Sequence, residues 1–107
     1  MAQSLDFPEM LLWPDYMHLL GHSNWSGWKR RIRLVCETRG LLAHLDGSTP
    51  RPMQSAAHAA QVEVWKRNDS WLRFLLAWNI ANKVDISVEG IPAADIWHQL
   101  LVKYDRI

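Results

Sequence analysis

The chain has a single cysteine, Cys36, so it can form no disulfide within itself and no cysteine-rich zinc module. Its longest apolar stretch is interrupted by Arg73 and Asn79 and falls short of the length that a membrane-spanning helix needs. The N-terminal region carries Asp6 and Glu9 ahead of its apolar residues, which is not typical of a signal peptide. We therefore expect an intracellular, cytoplasmic protein with no membrane partner.

The chain also has little excess charge. Lys and Arg number 12, Asp and Glu number 11, and the net charge of the 107 residues is +1. Proteins that bind nucleic acid by bulk electrostatics carry a larger positive excess, so we expect RNA contact to be weak and local. The five glycines are isolated and form no phosphate-binding loop.

No spacing of nucleophile, base and carboxylate indicates a catalytic site. His18 and His22 are four residues apart, but Gly21 interrupts them, so we interpret them as surface loop residues rather than zinc ligands. The remaining histidines are scattered and are expected to be partly exposed on helices; they are His44, His58 and His98. We expect no enzymatic activity, cofactor, bound metal or small-molecule substrate.

What the sequence has in abundance is tryptophan, with seven residues. Side chains of this size fill a core, fill an interface or bind a ligand. Helical spacing places several of them on an apolar face of a helix over residues 24–38, with Ser23 or Asn24 as its cap and Gly40 after its end. That face comprises Trp25, Trp28, Ile32, Val35 and Cys36.

The rest of the pattern is also helical, and we predict a small all-α domain of about four to five helices. Residues 41–45 form a short helical turn, and 46–52 form a fixed turn with two prolines. Residues 55–80 form one long helix, or two that bend near residues 68–70, with an apolar stripe of Ala57, Ala60, Val64, Trp71, Leu75 and Trp78. Residues 92–105 form the last helix, with Asp95 near its start and Lys103 and Arg106 near its end.

Two segments are less regular. Residues 84–88 fit a short strand or a helical turn, and we favour the turn because a single strand makes no sheet. Residues 1–18 form an N-terminal arm that precedes the domain at 19–107 and contains Pro8 and Pro14. Trp13, in this arm, is the tryptophan that remains a candidate for an interface.

One dense basic cluster supplies the candidate RNA-contact residues, Lys29, Arg30, Arg31 and Arg33. The alternative interpretation is the solvated face of an amphipathic helix. Trp25 and Trp28 point to the core in this helix, so no aromatic platform for bases is expected. Leu34, opposite the core face, is expected to be exposed.

Four segments together resemble the Gag domain of copia-type LTR retrotransposons. Residues 20–29 read LGHSNWSGWK, close to the family pattern Leu-x-Gly-x-Asn-Tyr-x-x-Trp, with Trp25 in place of Tyr. Residues 39–52 read RGLLAHLDGSTPRP, and the spaced Trp65 and Asp69 follow. Residues 94–104 read ADIWHQLLVKY, and Pro92 stands where the family often has a Thr. The resemblance covers residues 19–105 and is closest to the fungal versions.

This resemblance implies a helical capsid-type domain that self-associates into a particle enclosing RNA. The chain is then an excised domain, a remnant, or a host gene derived from such an element. The alternatives are a small nucleic-acid-binding module that uses the basic helix, and a domesticated adaptor that binds a host peptide. The core and motif residues that we assign are Asn24, Trp25, Trp28, Ile32, Gly40, Asp46, Gly47, Pro50, Trp65, Asp69, Leu75, Trp97, Leu101 and Tyr104.

Overall fold

A computed structural model describes residues 12–105 and shows a small all-α domain, which confirms the predicted fold class. The helices in this range are α1 (Trp25–Thr38), α2 (Leu42–Leu45), α3 (Ala59–Ala77) and α4 (Ala93–Tyr104). Three short 3-10 turns accompany them, at Asp15–Met17, His22–Asn24 and Ala56–His58. The first eleven residues of the predicted arm, and Arg106, lie outside the described residues. No helix of the described part combines the length and apolarity needed to cross a membrane.

Helix α1 ends as its sequence predicts but begins differently. Gly40 adopts a φ of 71°, its N–H donates to Glu37 O, and the Leu41 N–H donates to Cys36 O at 2.8 Å. This pair of bonds is a Schellman motif, which satisfies the last carbonyls of the helix. Asn24 stands at the N-cap position, but its side chain does not cap the helix. The predicted capping bond is therefore wrong.

The Asn24 side chain instead fastens the loop that leads into α1. Its Oδ1 accepts from the Leu20 N–H at 2.9 Å, and its Nδ2 donates to His18 O at 2.8 Å. Leu19 lies between these two bonded residues and is fully buried. Its backbone pairs with residues 79–81 in an isolated parallel bridge. Leu19, the first residue of the predicted domain, is thus joined to the residues that follow α3, and the His18 carbonyl at the end of the predicted arm is bonded by Asn24.

The core forms where the aromatic face of α1 meets α4 and the second half of α3. Trp25 lies 5.9 Å from the ring of Trp97 and 5.6 Å from that of Tyr104. The predicted core residues that are buried are Trp25, Trp28, Ile32, Cys36, Leu75, Trp97 and Tyr104. Leu101 is half-buried at the edge of this cluster. Trp13 is half-buried beside this cluster and packs edge-on against Trp28 at 6.4 Å.

Helix α3 is continuous through residues 68–70, but four of the six residues in its predicted apolar stripe are exposed. Trp71 and Leu75 are buried, whereas the remaining members, Ala57, Ala60, Val64 and Trp78, are exposed. Apart from Val62, the buried residues of α3 begin at Asp69, where α4 is fastened to it. Helical spacing identifies an apolar face correctly but does not say how far along the helix a neighbour lies.

The connection between α3 and α4 is irregular. Residues 84–88 form neither a helix nor a strand, so the favoured helical turn is wrong there. The connection begins beside Asn79, which is fully buried. Asn79 O accepts from Trp28 Nε1 and from the Leu19 N–H, both at 2.9 Å. Its side chain bonds the Trp13 N–H and Leu75 O, so one residue joins four segments.

Candidate functional site

A buried polar contact links α2, α3 and α4. His44 and Asp69 are 3% and 6% exposed, and His44 Nε2 lies 3.1 Å from Asp69 Oδ1. The carboxylate only accepts, so Nε2 donates. The same oxygen accepts from the Ala93 N–H at 3.0 Å, at the start of α4. The prediction that His44 is partly exposed is wrong, because Asp69, 25 residues away, provides a buried partner.

The turn at residues 46–52 is held by its own residues and by α3. Asp46 Oδ1 accepts from the Ser48 N–H at 2.9 Å, and the hydrogen bond from the Ser48 side chain, followed by that from its N–H, lowers the pKa of the Asp46 carboxyl. Gly47 has a φ of 89°, which disfavours other residues there. A Cβ at Gly47 would lie 3.6 Å from Ala94 Cβ, so the turn packs on α4. Trp65 Nε1 donates to Thr49 O at 3.0 Å.

A cavity of about 480 Å³ lies between this turn and the first half of α3. Its walls are mainly apolar and include Pro50, Pro52 and Val64. Trp65 lines it, 4.8 Å from the ring of His44, while the Arg51 guanidinium lies 5.8 Å from the Trp65 ring. Trp65 is only half-buried and lies outside the main core, so its predicted core role is wrong.

His44 gives this cavity its polar character. The ring lines the cavity, and its Nδ1 is buried without a hydrogen-bond partner. Because Nε2 carries the proton that is donated to Asp69, Nδ1 is an acceptor in the neutral ring. Two amide side chains, Gln61 and Asn68, also line the cavity. The site is therefore apolar with a few polar groups, which is typical of a pocket that binds a ligand or a side chain.

The predicted basic strip is not one surface. Lys29 Nζ lies 2.8 Å from Asp105 Oδ1, and the Arg31 guanidinium lies 5.5 Å from the ring of Trp13. Arg30 and Arg33 are exposed and, together with Lys29, line a cavity of about 300 Å³ that also contains Glu37. Three of the four candidate RNA-contact residues thus line one cavity, where Lys29 is paired with Asp105, and Arg31 lies apart from them beside Trp13.

Asp105 also accepts from Trp25 Nε1, at 3.1 Å. The hydrogen bond from Lys29, followed by that from Trp25, lowers the pKa of the Asp105 carboxyl. The ion pair thus joins the first turns of α1 to the residue that follows α4. Lys29 therefore helps to hold α1 against the end of α4, in addition to contributing positive charge to the surface.

Trp78 is a large exposed aromatic side chain just after the end of α3. It follows α3, is 54% exposed, and stacks on Phe74 with ring centroids 4.8 Å apart and planes 6° apart. One depression beside it contains Asp15, and another contains Arg73. Tryptophan is enriched among the residues that dominate binding at protein interfaces, so this exposed ring is a candidate interaction anchor.

The remaining candidate groups are occupied in packing. Burial raises the pKa of the Cys36 thiol to about 12, which suits the predicted core role and not a nucleophile. His18 Nε2 donates to Trp13 O at 2.8 Å, while His22 lies edge-on to Tyr104 at 4.8 Å. Within residues 12–105, no group of three or more His, Cys, Asp or Glu side chains is arranged to hold a metal ion.

The cavity was not predicted from the sequence, although Pro50 and Trp65 were both assigned as motif residues. The available signal for a cavity was that an apolar turn residue and an aromatic helix residue lie only 15 positions apart in the chain. Asn79 was noted only as an interruption of an apolar run, and nothing local marks it as a buried link. A scan of family models, a search of curated proteins and a search of solved structures found no match to this chain.

Proposed function

We propose that this chain is a capsid-type structural module of the kind found in copia-type Gag, acting by self-association in a particle that encloses RNA. The observation that carries the proposal is that the four segments of the resemblance meet in space. Trp25 contacts Trp97, Trp65 bonds Thr49, and Gly47 packs on Ala94. Motif residues that hold one another in place support a structural rather than a catalytic role.

The surface supports action through protein contacts. Single exposed apolar residues are normal on a soluble domain and need no explanation. Trp78 differs, because it is large, 54% exposed and fixed by its stacking on Phe74. Tryptophan is enriched among the residues that dominate binding at protein interfaces. The proposal includes an intracellular location, since a lone cysteine suits a reducing compartment.

Light scattering coupled to size-exclusion chromatography tests the proposal on the full chain. We expect the mass to rise above the 12.5 kDa of a single chain as the concentration increases from micromolar to millimolar. Electron microscopy of the most concentrated samples, with and without added RNA, then tests for particles. A mass that stays at one chain throughout this range would contradict the proposed self-association.

A small nucleic-acid-binding module is the second candidate, and the exposed pair Arg30 and Arg33 favours it. The test is binding to single-stranded RNA over a series of salt concentrations. If this pair contacts phosphates, the double variant Arg30→Glu with Arg33→Glu should abolish RNA binding. Its oligomeric state should remain that of the unchanged chain. The salt slope of a single-charge variant should fall by roughly 0.7 per lost contact.

The matched control for this experiment is a second double charge reversal, Lys66→Glu with Lys83→Glu. Both lysines are exposed and lie outside α1. This variant changes the net charge of the chain by the same amount as the reversal of Arg30 and Arg33. Equal weakening by the two variants would indicate non-specific attraction and would exclude a dedicated site on α1.

A further inference from the structure

We propose that the cavity between residues 49–52 and the first half of α3 receives Trp78 of a second copy of this chain. The inference rests on the proposed function, because it assumes self-association, and it names the two surfaces that make the contact. One surface is concave and the other projects, so the contact joins different patches of the two copies.

The chemistry of the cavity defines the occupant that it suits. A volume of about 480 Å³ falls in the range of pockets that bury a ligand or a large side chain. Pro50, Val64 and Trp65 provide apolar walls, and His44 Nδ1, which is an acceptor in the neutral ring, is buried without a hydrogen-bond partner. An unpartnered buried acceptor is costly, and a donor on the occupant removes that cost. The complementary side chain is therefore a flat apolar ring that carries a donor.

Trp78 meets this description. The indole is a large apolar ring whose N–H donates and never accepts. Its stacking on Phe74 fixes the ring in place, so little side-chain freedom is lost on binding. Tyr16 also carries an aromatic ring and a donor, but it is 82% exposed and less constrained by its surroundings.

The two surfaces cannot fill each other within one molecule. Trp65 lies in α3 and Trp78 directly follows its end, 13 residues later. Thirteen residues of helix span roughly 20 Å, and the helix is continuous between them. The contact must therefore form between copies. Such a head-to-tail contact either closes into a small ring or dimer or extends into a larger assembly.

Charges beside the two surfaces favour one orientation. Arg51 lies over Trp65 at the cavity, while Asp15 lines the depression on one side of Trp78. Arg73 lies on the other side of Trp78, where it would repel Arg51. The favoured arrangement turns Asp15 of one copy toward Arg51 of the next.

Mixing two complementary variants tests the proposal. Trp78→Ser removes the projecting ring, and Ala60→Glu places a carboxylate in the cavity wall. Each variant alone should bind itself at least about 30-fold more weakly than the unchanged chain. An equal mixture should form a complex of two chains and nothing larger, because each variant retains one intact surface. Light scattering and analytical ultracentrifugation measure both results.

Ala60 and Trp78 are exposed, so neither substitution opens the core, and circular dichroism checks that each variant folds. Val64→Glu provides a second variant of the cavity wall. Leu34→Ser, at a side chain that is 55% exposed on α1, is the matched control and should associate normally. Tyr16→Ser should also associate normally.

The outcomes separate the inference from the proposed function. If the unchanged chain associates and the cavity and Trp78 variants associate equally well, the docking site is wrong and self-association stands. If only the cavity variants fail, another side chain occupies the cavity and the assignment of Trp78 is overturned. If the unchanged chain remains a single chain at every concentration, both proposals fail.

Discussion

Asp69 Oδ1 lies 3.0 Å from the backbone nitrogen of Ala93, so a carboxylate on α3 holds the first N–H of α4. The first N–H groups of a helix have no partner inside it, and a negative charge beside them is favourable. Pro92 precedes Ala93 at the N-cap position and offers no side-chain cap. A residue 24 positions earlier in the chain therefore provides the cap that the local sequence lacks.

Asp69→Ala should lower the free energy of unfolding by about 2–4 kcal/mol. The change leaves two buried donors, the Ala93 N–H and His44 Nε2, without their shared acceptor. Urea denaturation measures the loss. Asp85→Ala, at an exposed aspartate, is the control and should change stability by less than about 0.5 kcal/mol. Equal effects of the two changes would rule out the capping role of Asp69.

Trp97→Ala should cost about 3–5 kcal/mol and leave this small domain largely unfolded at room temperature. Trp97 is 2% exposed and lies 5.9 Å from Trp25 and 6.4 Å from Trp28, so truncation leaves a large cavity at the centre. Thermal denaturation followed by circular dichroism measures the effect. Val102→Ala, on the exposed side of the same helix, should leave the melting temperature almost unchanged. A Trp97→Ala variant that melts like the unchanged chain would show that this cluster is not the core.

The parts of the fold that could be predicted are those that local sequence determines. The apolar face of α1 repeats at helical spacing, and Gly40 ends the helix because only glycine adopts its φ of 71° at low cost. Cys36 was placed in the core from its position on that face. None of these assignments needs knowledge of a distant residue.

The assignments that were wrong depend on partners far away in sequence. His44 is buried because Asp69, 25 residues away in the chain, is its hydrogen-bond partner. Trp78 belongs to an apolar stripe that continues beyond the part of α3 that α4 covers. Trp78 is therefore exposed instead of buried. Periodicity on one helix carries no information about where its neighbours begin and end.

The Cys36 thiol should be unreactive in the folded protein. Burial raises its pKa to about 12, against an ordinary value of 9.0, and the weaker opposing effect of Arg33 does not offset this. The folded state thus disfavours the thiolate, so this contribution to stability is complete below pH 9 and is lost as the pH rises toward 12. Thiol labelling at pH 8 should be slow without urea and fast with it. Rapid labelling of the folded chain would contradict the burial of Cys36.

Asp105 should make the attachment of α1 to the end of α4 sensitive to acid. The hydrogen bonds from Lys29 and Trp25 lower the pKa of its carboxyl below the ordinary value of 3.8. A lowered folded-state pKa gives stability that is present above pH 3.8 and is lost as the pH falls through the folded-state value. The unchanged chain should therefore exceed Asp105→Asn in stability at neutral pH, and the difference should vanish in strong acid.

Titration of the Asp105 carboxyl by nuclear magnetic resonance measures the cause of this effect directly. Lys29→Gln removes the largest contribution and should move the pKa of Asp105 back toward its ordinary value, while Arg30→Gln changes the same charge without touching Asp105. The side chain is solvent-accessible, so added salt should weaken the Coulomb part of the shift and leave the hydrogen bond from Trp25 in place. If the pKa of Asp105 in the unchanged chain equals its ordinary value, Lys29 is not held by this contact and is available for the RNA-contact role that the sequence suggested.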